Sequence, residues 1–320
     1  MPDLQVEKRD HIVTVTIDRP PVNAVTTATM AEIRDVFSTL GDDRDVRVAI
    51  FTGAGDKSFV AGVDLKTSGT EPRDQRPPTE LTDPGLVARE AMWAIIDCAV
   101  PVIGAINGYA LGAGLAYAAC CDMLVASENA TFSTPEINVG LLGASAHLSL
   151  MMGRHKAREM FLTGEQVSAQ EMYRIGAVRE VTAPDKLMDT ALELAQELAA
   201  KSPIALRMAK ESMNRIENME LREGYRTEQD YTTRLMRFDD SREARRAFRE
   251  KRDPEYKWQS GCGPSEELAV VPVEDLAHWG EFDGGVEVLL VIVPGLLGHH
   301  VLGGPIRGVL LIEGDGNPLG

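Results

Sequence analysis

The stretch Ile106-Asn107-Gly108-Tyr109-Ala110-Leu111-Gly112-Ala113-Gly114-Leu115-Ala116 follows the apolar run Pro101-Val102-Ile103-Gly104-Ala105. β-Branched residues stop where glycine begins, and alanine-rich sequence follows. That order predicts a buried strand, a tight glycine-rich turn and a helix opening near Gly112. Such a turn leaves unpaired main-chain N–H groups at a helix N-terminus. Their partial positive charge suits an anion, or an oxygen that becomes one during a reaction. The small residues Gly112, Ala113 and Gly114 let a carbonyl approach that backbone closely. A lone G-x-G also serves close packing of a helix on a strand, so the turn needs company before it means chemistry.

Outward from this centre the chain alternates strand and helix. Residues 12–17 read as a strand ended by Asp18-Arg19-Pro20-Pro21. Thr26 or Thr27 caps a helix whose apolar stripe is Met30, Ile33, Phe37 and Leu40. Residues 46–51 form the next strand, ended by Thr52-Gly53-Ala54-Gly55, and 86–98 is helical. The alternation predicts an α/β protein, and the length fits one or two globular domains with a sizeable core. A net charge of −16 argues against a nucleic-acid partner, whose phosphates would be repelled. No leader-like apolar segment opens the sequence and no apolar run is long enough for a membrane span, so a cytoplasmic location is expected. The four cysteines suit a reducing compartment, and no metal-ligand spacing appears.

Two further stretches keep the central turn company. Phe59-Val60-Ala61-Gly62-Val63-Asp64-Leu65-Lys66 lies upstream, and Phe132-Ser133-Thr134-Pro135-Glu136 lies downstream of Cys121-Asp122. With residues 106–114 these four motifs, in this order, resemble the enoyl-CoA hydratase/isomerase (crotonase) family. The resemblance covers roughly residues 4–258. It implies a spiral of ββα units over 1–200 and a helical, trimer-forming region over 201–258. It also implies an acyl-CoA thioester substrate, coenzyme A entering only as part of that substrate, and a homotrimer or dimer of trimers. By the same resemblance the Val63 and Ala113 N–H groups form an oxyanion hole for the thioester oxygen, and Glu136 is a base. Ala24, Ala61, Lys66, Gly112, Leu141 and Gly143 fall at substrate- or CoA-binding positions, with solvated surface the alternative for Lys66. Two such donors would stabilise an enolate, and removing one costs about 100- to 1,000-fold in rate. Leu141 and Leu142 would give Glu136 apolar surroundings and so raise its basicity. Asp64, as a cap for a helix beginning after Val63, and Asp122 are expected to serve structure.

Two departures from the family pattern narrow the chemistry. The hydratases' first glutamate falls at Ala116, leaving Glu136 as the lone carboxylate. Adding water across a double bond suits a pair of carboxylates, whereas moving a double bond needs one base that takes a proton from one carbon and returns it to another. An isomerase is therefore favoured over a hydratase. A thioester hydrolase or decarboxylase, and a silent CoA-binding protein, remain open. After Glu136 the turn Gly140-Leu141-Leu142-Gly143-Ala144-Ser145-Ala146-His147 is about three residues shorter than the family's. Ser145 reads as a helix cap rather than a nucleophile, and His147 as a helix histidine or a second proton-handling group.

Residues 67–85 read as a loop, which the resemblance implies shapes the acyl pocket. Helices are expected over 186–200, 203–217, 221–236 and 241–251. The last of these should carry Ala244, Ala247 and Phe248 on one face, and arginines that are solvated or meet CoA phosphates. The family pattern ends near Trp258. From Gln259 the composition changes, with nine acidic residues against one basic, Arg307, and 13 of the 29 glycines. Residues 259–320 are expected to be a poorly ordered or edge-pairing extension, or sequence read in a shifted frame.

Overall fold

A computed structural model describes residues 2–66 and 78–258. The expectations for 67–77 and for the 259–320 segment lie outside the described residues.

Strands β1 (Leu4–Arg9) and β2 (Ile12–Ile17) form an antiparallel hairpin with Leu4 opposite Ile17. β2 then pairs in parallel with β3 (Val48–Gly53), β3 with β5 (Val102–Ile106), β5 with β7 (Met123–Ser127) and β7 with β10 (Glu180–Thr182). A smaller sheet runs β4 (Ser58–Val60), β6 (Tyr109–Leu111), β8 (Thr131–Ser133) and β9 (Val167–Ser168), the first three parallel. Three successive turns, beginning at β3, β5 and β7, each place one strand in the large sheet, one in the small sheet and then a helix, which is the expected spiral of ββα units.

The large sheet is buried on both faces, so its strands are continuously apolar rather than alternating with polar residues. The period-two split is nonetheless visible. Val13, Val15, Ile17, Ala49, Phe51, Val102 and Ile106 enter the main core with helices α1 (Thr27–Thr39) and α3 (Leu86–Ile96). Ile12, Val48, Ile50, Ile103, Ala105 and Val125 face helix α8 (Leu187–Ala199). Thr26 caps α1 in a capping box with Thr29, and Met30, Ile33 and Phe37 are buried as their spacing required. A short helix α2 (Pro78–Thr82) lies inside the segment expected to be loop.

Helix α4 (Ala113–Cys120) opens after Gly112, but the expected glycine turn is not wholly a turn, because Tyr109–Leu111 is strand β6. Downstream come α5 (Ser145–Met151), α6 (Arg154–Thr163) and α7 (Ala169–Arg174). The C-terminal helices α9 (Pro203–Ile216), α10 (Leu221–Leu235) and α11 (Asp239–Glu250) match the expected spans to within two residues. They are tied to the core by polar anchors. The buried Lys210 ammonium donates to Asp122 (2.7 Å) and to the carbonyls of Ile95 and Val100 (both 3.2 Å). Asp122 in turn accepts the Val102 N–H at 2.7 Å, so it serves structure as expected. On α11 the expected common face does not form, since Ala247 is buried while Phe248 is 85% exposed. Arg246 and Arg252 are held by Glu243, which fixes the helix to the segment that follows. Among the described residues no helix is long and apolar enough to cross a membrane.

Candidate active site

β4, β6 and β8 are parallel neighbours, so the segments leaving their C-terminal ends lie side by side. Those segments are 61–63, 112–113 and 134–136. Three motifs separated by dozens of residues thereby reach one place, the carboxyl end of a parallel sheet, where open α/β folds bind ligands. The Gly112 N–H donates to the Ser133 carbonyl at 2.9 Å and locks the second segment to the third. Gly114 lets α4 start against β4, because a Cβ there would stand 2.0 Å from the Val60 carbonyl oxygen.

Val63 and Ala113 both lie in these segments. Val63 forms an isolated parallel bridge with Val25. The Val25 N–H donates to the Gly62 carbonyl, and its carbonyl accepts the Asp64 N–H, both at 2.9 Å. In parallel pairing that leaves the N–H of the intervening residue, Val63, pointing away from Val25. Ala113 is the first residue of α4, so its N–H lies in the turn that no helical carbonyl can satisfy. Neither N–H donates to a protein acceptor among the described residues.

Glu136 sits on a 3-10 turn, Pro135–Val139, directly after β8. Its carboxylate rests against two glycines. A Cβ on Gly112 would be 2.3 Å from Oε1, and one on Gly143 would be 2.7 Å from the same atom. Oε2 is buried with no hydrogen-bond partner among the described residues. Burial holds the carboxyl above the ordinary glutamate value of 4.5, opposed only by its own main-chain N–H. Gly112 and Gly143 pack against the carboxylate, while Leu141 and Leu142 are 48% and 78% exposed. Ala116, where hydratases carry their first glutamate, is fully buried.

The other expected positions divide into two groups. Ala61 donates its N–H to the Val22 carbonyl (3.2 Å), and Ala24 lies beside Val25, so both border the Val63 segment. Lys66 is exposed. Asp64 accepts the Lys66 N–H at 3.0 Å, as a cap would, but Leu65 and Lys66 form a turn and no helix starts there among the described residues. Asp64 also pairs with Arg19 at 3.0 Å. The expectation for Ser145 fails. Ala144 occupies the N-cap with a left-handed backbone (φ 57°, ψ 10°) and no side chain caps α5. Ser145 is thus already the first residue inside the helix. His147, on the first turn of α5, is half-buried, and its Nδ1 has no partner among the described residues.

Three positioning residues were not read from the sequence. Arg19 donates to the Ala24 carbonyl (2.7 Å) and to Asp64, clamping both sides of the Val25–Val63 bridge. Asn23 and Asn107 both donate to the Ser58 carbonyl, at 2.8 and 3.1 Å. Each stands beside a turn, Arg19 and Asn23 flanking the two prolines and Asn107 ahead of Gly108. An asparagine at such a place is the available signal. Cys98 and Cys120 are buried, and burial pushes the Cys120 thiol up to about 12, so neither is poised as a nucleophile. Among the described residues no group of three or more His, Cys, Asp or Glu side chains could hold a metal ion.

This geometry can be set beside known proteins. A model of the family described as "Enoyl-CoA hydratase/isomerase" matches residues 7–259. A (7aS)-7a-methyl-1,5-dioxo-2,3,5,6,7,7a-hexahydro-1H-indene-carboxyl-CoA hydrolase of Rhodococcus jostii is 38% identical over 71% of this chain and 86% of its own. A carnitinyl-CoA dehydratase of Proteus mirabilis is 34% identical over 79% of this chain and 98% of its own. The crystal structure of an enoyl-CoA hydratase from Mycobacterium smegmatis superposes with a TM-score of 0.74 at 33% identity, over 80% of this chain and 99% of that one. The same sheets and the same three motifs at one sheet edge thus come with a family match over most of the chain, and the protein belongs to the enoyl-CoA hydratase/isomerase family as an enzyme of the crotonase fold.

Proposed function

We propose that this enzyme forms an enolate from an acyl-CoA thioester and uses Glu136 as its single acid–base group to move a double bond. The carrying observation is the Glu136 carboxylate, desolvated and with one buried oxygen unpartnered, packed against Gly112 at the N-terminus of α4. In a 3-enoyl-CoA, Glu136 removes a proton from the carbon next to the thioester carbonyl. The electron pair moves onto the carbonyl oxygen, where the Val63 and Ala113 N–H groups would hold the developing charge. The protonated Glu136 then returns its proton two carbons further along, giving a 2-enoyl-CoA. Atoms balance without water and without a cofactor beyond the CoA of the substrate. The absence of a carboxylate at Ala116 favours this over hydration, which needs a second group to activate water. Ala24, Ala61, Gly112 and Gly143 border the acyl thioester in this proposal, with Leu141 and Lys66 at its exposed rim. The exposed Leu142, Leu162 and Phe248 are apolar surface that a homotrimer or dimer of trimers would cover.

The hydrolase name of the 38% identical relative favours one second reading, hydrolysis of the thioester, in which water adds to the carbonyl, the same two N–H groups would hold the oxygen of the tetrahedral intermediate, and CoA leaves as the thiol. Incubating wild type and Glu136→Gln with matched 3-enoyl- and 2-enoyl-CoA separates the two. Isomerisation interconverts the esters with no free thiol, and Glu136→Gln loses about 100- to 10,000-fold. Stoichiometric release of CoA thiol would replace isomerisation with hydrolysis, and full activity of Glu136→Gln would overturn both.

A further inference from the structure

We infer that His147 hydrogen-bonds a neutral oxygen substituent, an oxo or hydroxyl group, on the acyl chain, so that the enzyme prefers oxygenated acyl-CoA esters to plain hydrocarbon ones. The inference rests on the proposal above in one respect, that Glu136 marks where the reacting acyl carbons lie. Gly143, whose backbone presses on the Glu136 carboxylate, leads through Ala144 straight into α5. The Leu148 N–H donates to the Ala144 carbonyl at 3.1 Å, so the first turn of that helix is regular. Ala144, Leu148 and Met151 pack into the main core. Three, four and seven residues apart lie on one helix face, so His147 shares their inward stripe. Ser145, Ala146, Ser149 and Leu150 are exposed on the other side. One Cα–Cα step of about 3.8 Å and one helical turn of about 5 Å separate His147 from Gly143. An acyl chain that presents its first carbons to Glu136 spans that distance within a few further carbons.

The Nδ1 atom is buried there without a partner among the described residues. A buried polar nitrogen left unpaired is a standing penalty, and a hydrocarbon chain laid against it leaves the penalty in place. An oxo or hydroxyl group removes it. Burial also lowers the imidazole's affinity for a proton, which favours a neutral oxygen over a carboxylate as its partner.

Binding rather than turnover tests this. Dissociation constants are measured for the hexyl thioether of CoA and for oxohexyl thioethers with the oxygen stepped along the chain, none of which can react. Wild type should bind the best oxo ligand about 3- to 10-fold more tightly than the plain one. His147→Leu should bring that ratio to about one while leaving plain-ligand binding within about twofold. His147→Asn, whose amide can stand near the Nδ1 position, should restore most of the preference. Thermal unfolding of both variants verifies that they fold. An absent preference in wild type, or one that survives in His147→Leu, overturns the inference. Because the ratio needs no proton transfer, it stands or falls independently of the Glu136→Gln assay.

Discussion

Replacing Gly112 by alanine probes the site at its tightest point. Gly112 has φ 54° and ψ −111°, a backbone conformation that side chains rarely adopt, and its Cβ would stand 2.3 Å from Oε1 and 3.1 Å from Cδ of Glu136. Two effects follow. The strained backbone costs about 1–3 kcal/mol, and for a domain of this size the unfolding midpoint falls by roughly 2–4 °C per kcal/mol. Independently, restoring ordinary van der Waals distance requires the carboxylate to retreat by roughly 1 Å, a displacement that costs about 100-fold when it misplaces a reacting group. The assay is kcat/KM for 3-enoyl-CoA isomerisation beside a thermal melt. Gly176→Ala is the control, since Gly176 also has positive φ (84°) but a Cβ there meets nothing within 4 Å. It should lose stability and keep activity. If Gly112→Ala keeps kcat/KM within about threefold, or if Gly176→Ala loses as much as Gly112→Ala, the carboxylate is not seated as described.

Three further outcomes are expected. Ala113→Pro deletes one N–H at the first position of α4, where proline fits a helix, so kcat should fall about 100- to 1,000-fold with little change in unfolding midpoint. An unchanged kcat would remove Ala113 from the oxyanion hole. Because burial raises the Glu136 pKa, kcat/KM should climb with pH along a limb lying above 4.5, and the limb should vanish in Glu136→Gln. The folded state also holds that proton more tightly than the unfolded chain. Glu136→Gln should therefore unfold at higher temperature than wild type above the folded pKa, with the gain fading as pH falls through it. Lys210→Met leaves Asp122 buried without its cation and two carbonyls without a donor, so urea unfolding should show a loss of about 3–5 kcal/mol. Asp122→Asn in the same chain should recover part of it.

The strands and helices were legible because each is a local pattern. Val13, Val15 and Ile17 alternate with Ile12 across a sheet buried on both faces, Met30, Ile33 and Phe37 recur at helical spacing, and Thr26 precedes its helix as a cap. Glu136, Val63 and Ala113 were legible as members of motifs, through the family resemblance rather than through any contact the sequence displays. Tertiary structure decided what those motifs do to one another. Only the parallel pairing of β4, β6 and β8 puts their three trailing segments at one sheet edge. Only the tertiary packing brings Gly112 and Gly143 against the Glu136 carboxylate, a contact that no local pattern in the sequence displays. Strand β6 inside the glycine turn, the Arg19 clamp and the failed cap at Ser145 share this cause. A three-residue strand, a guanidinium reaching across 45 residues and a left-handed alanine are each fixed by partners distant in sequence, and no local pattern encodes them.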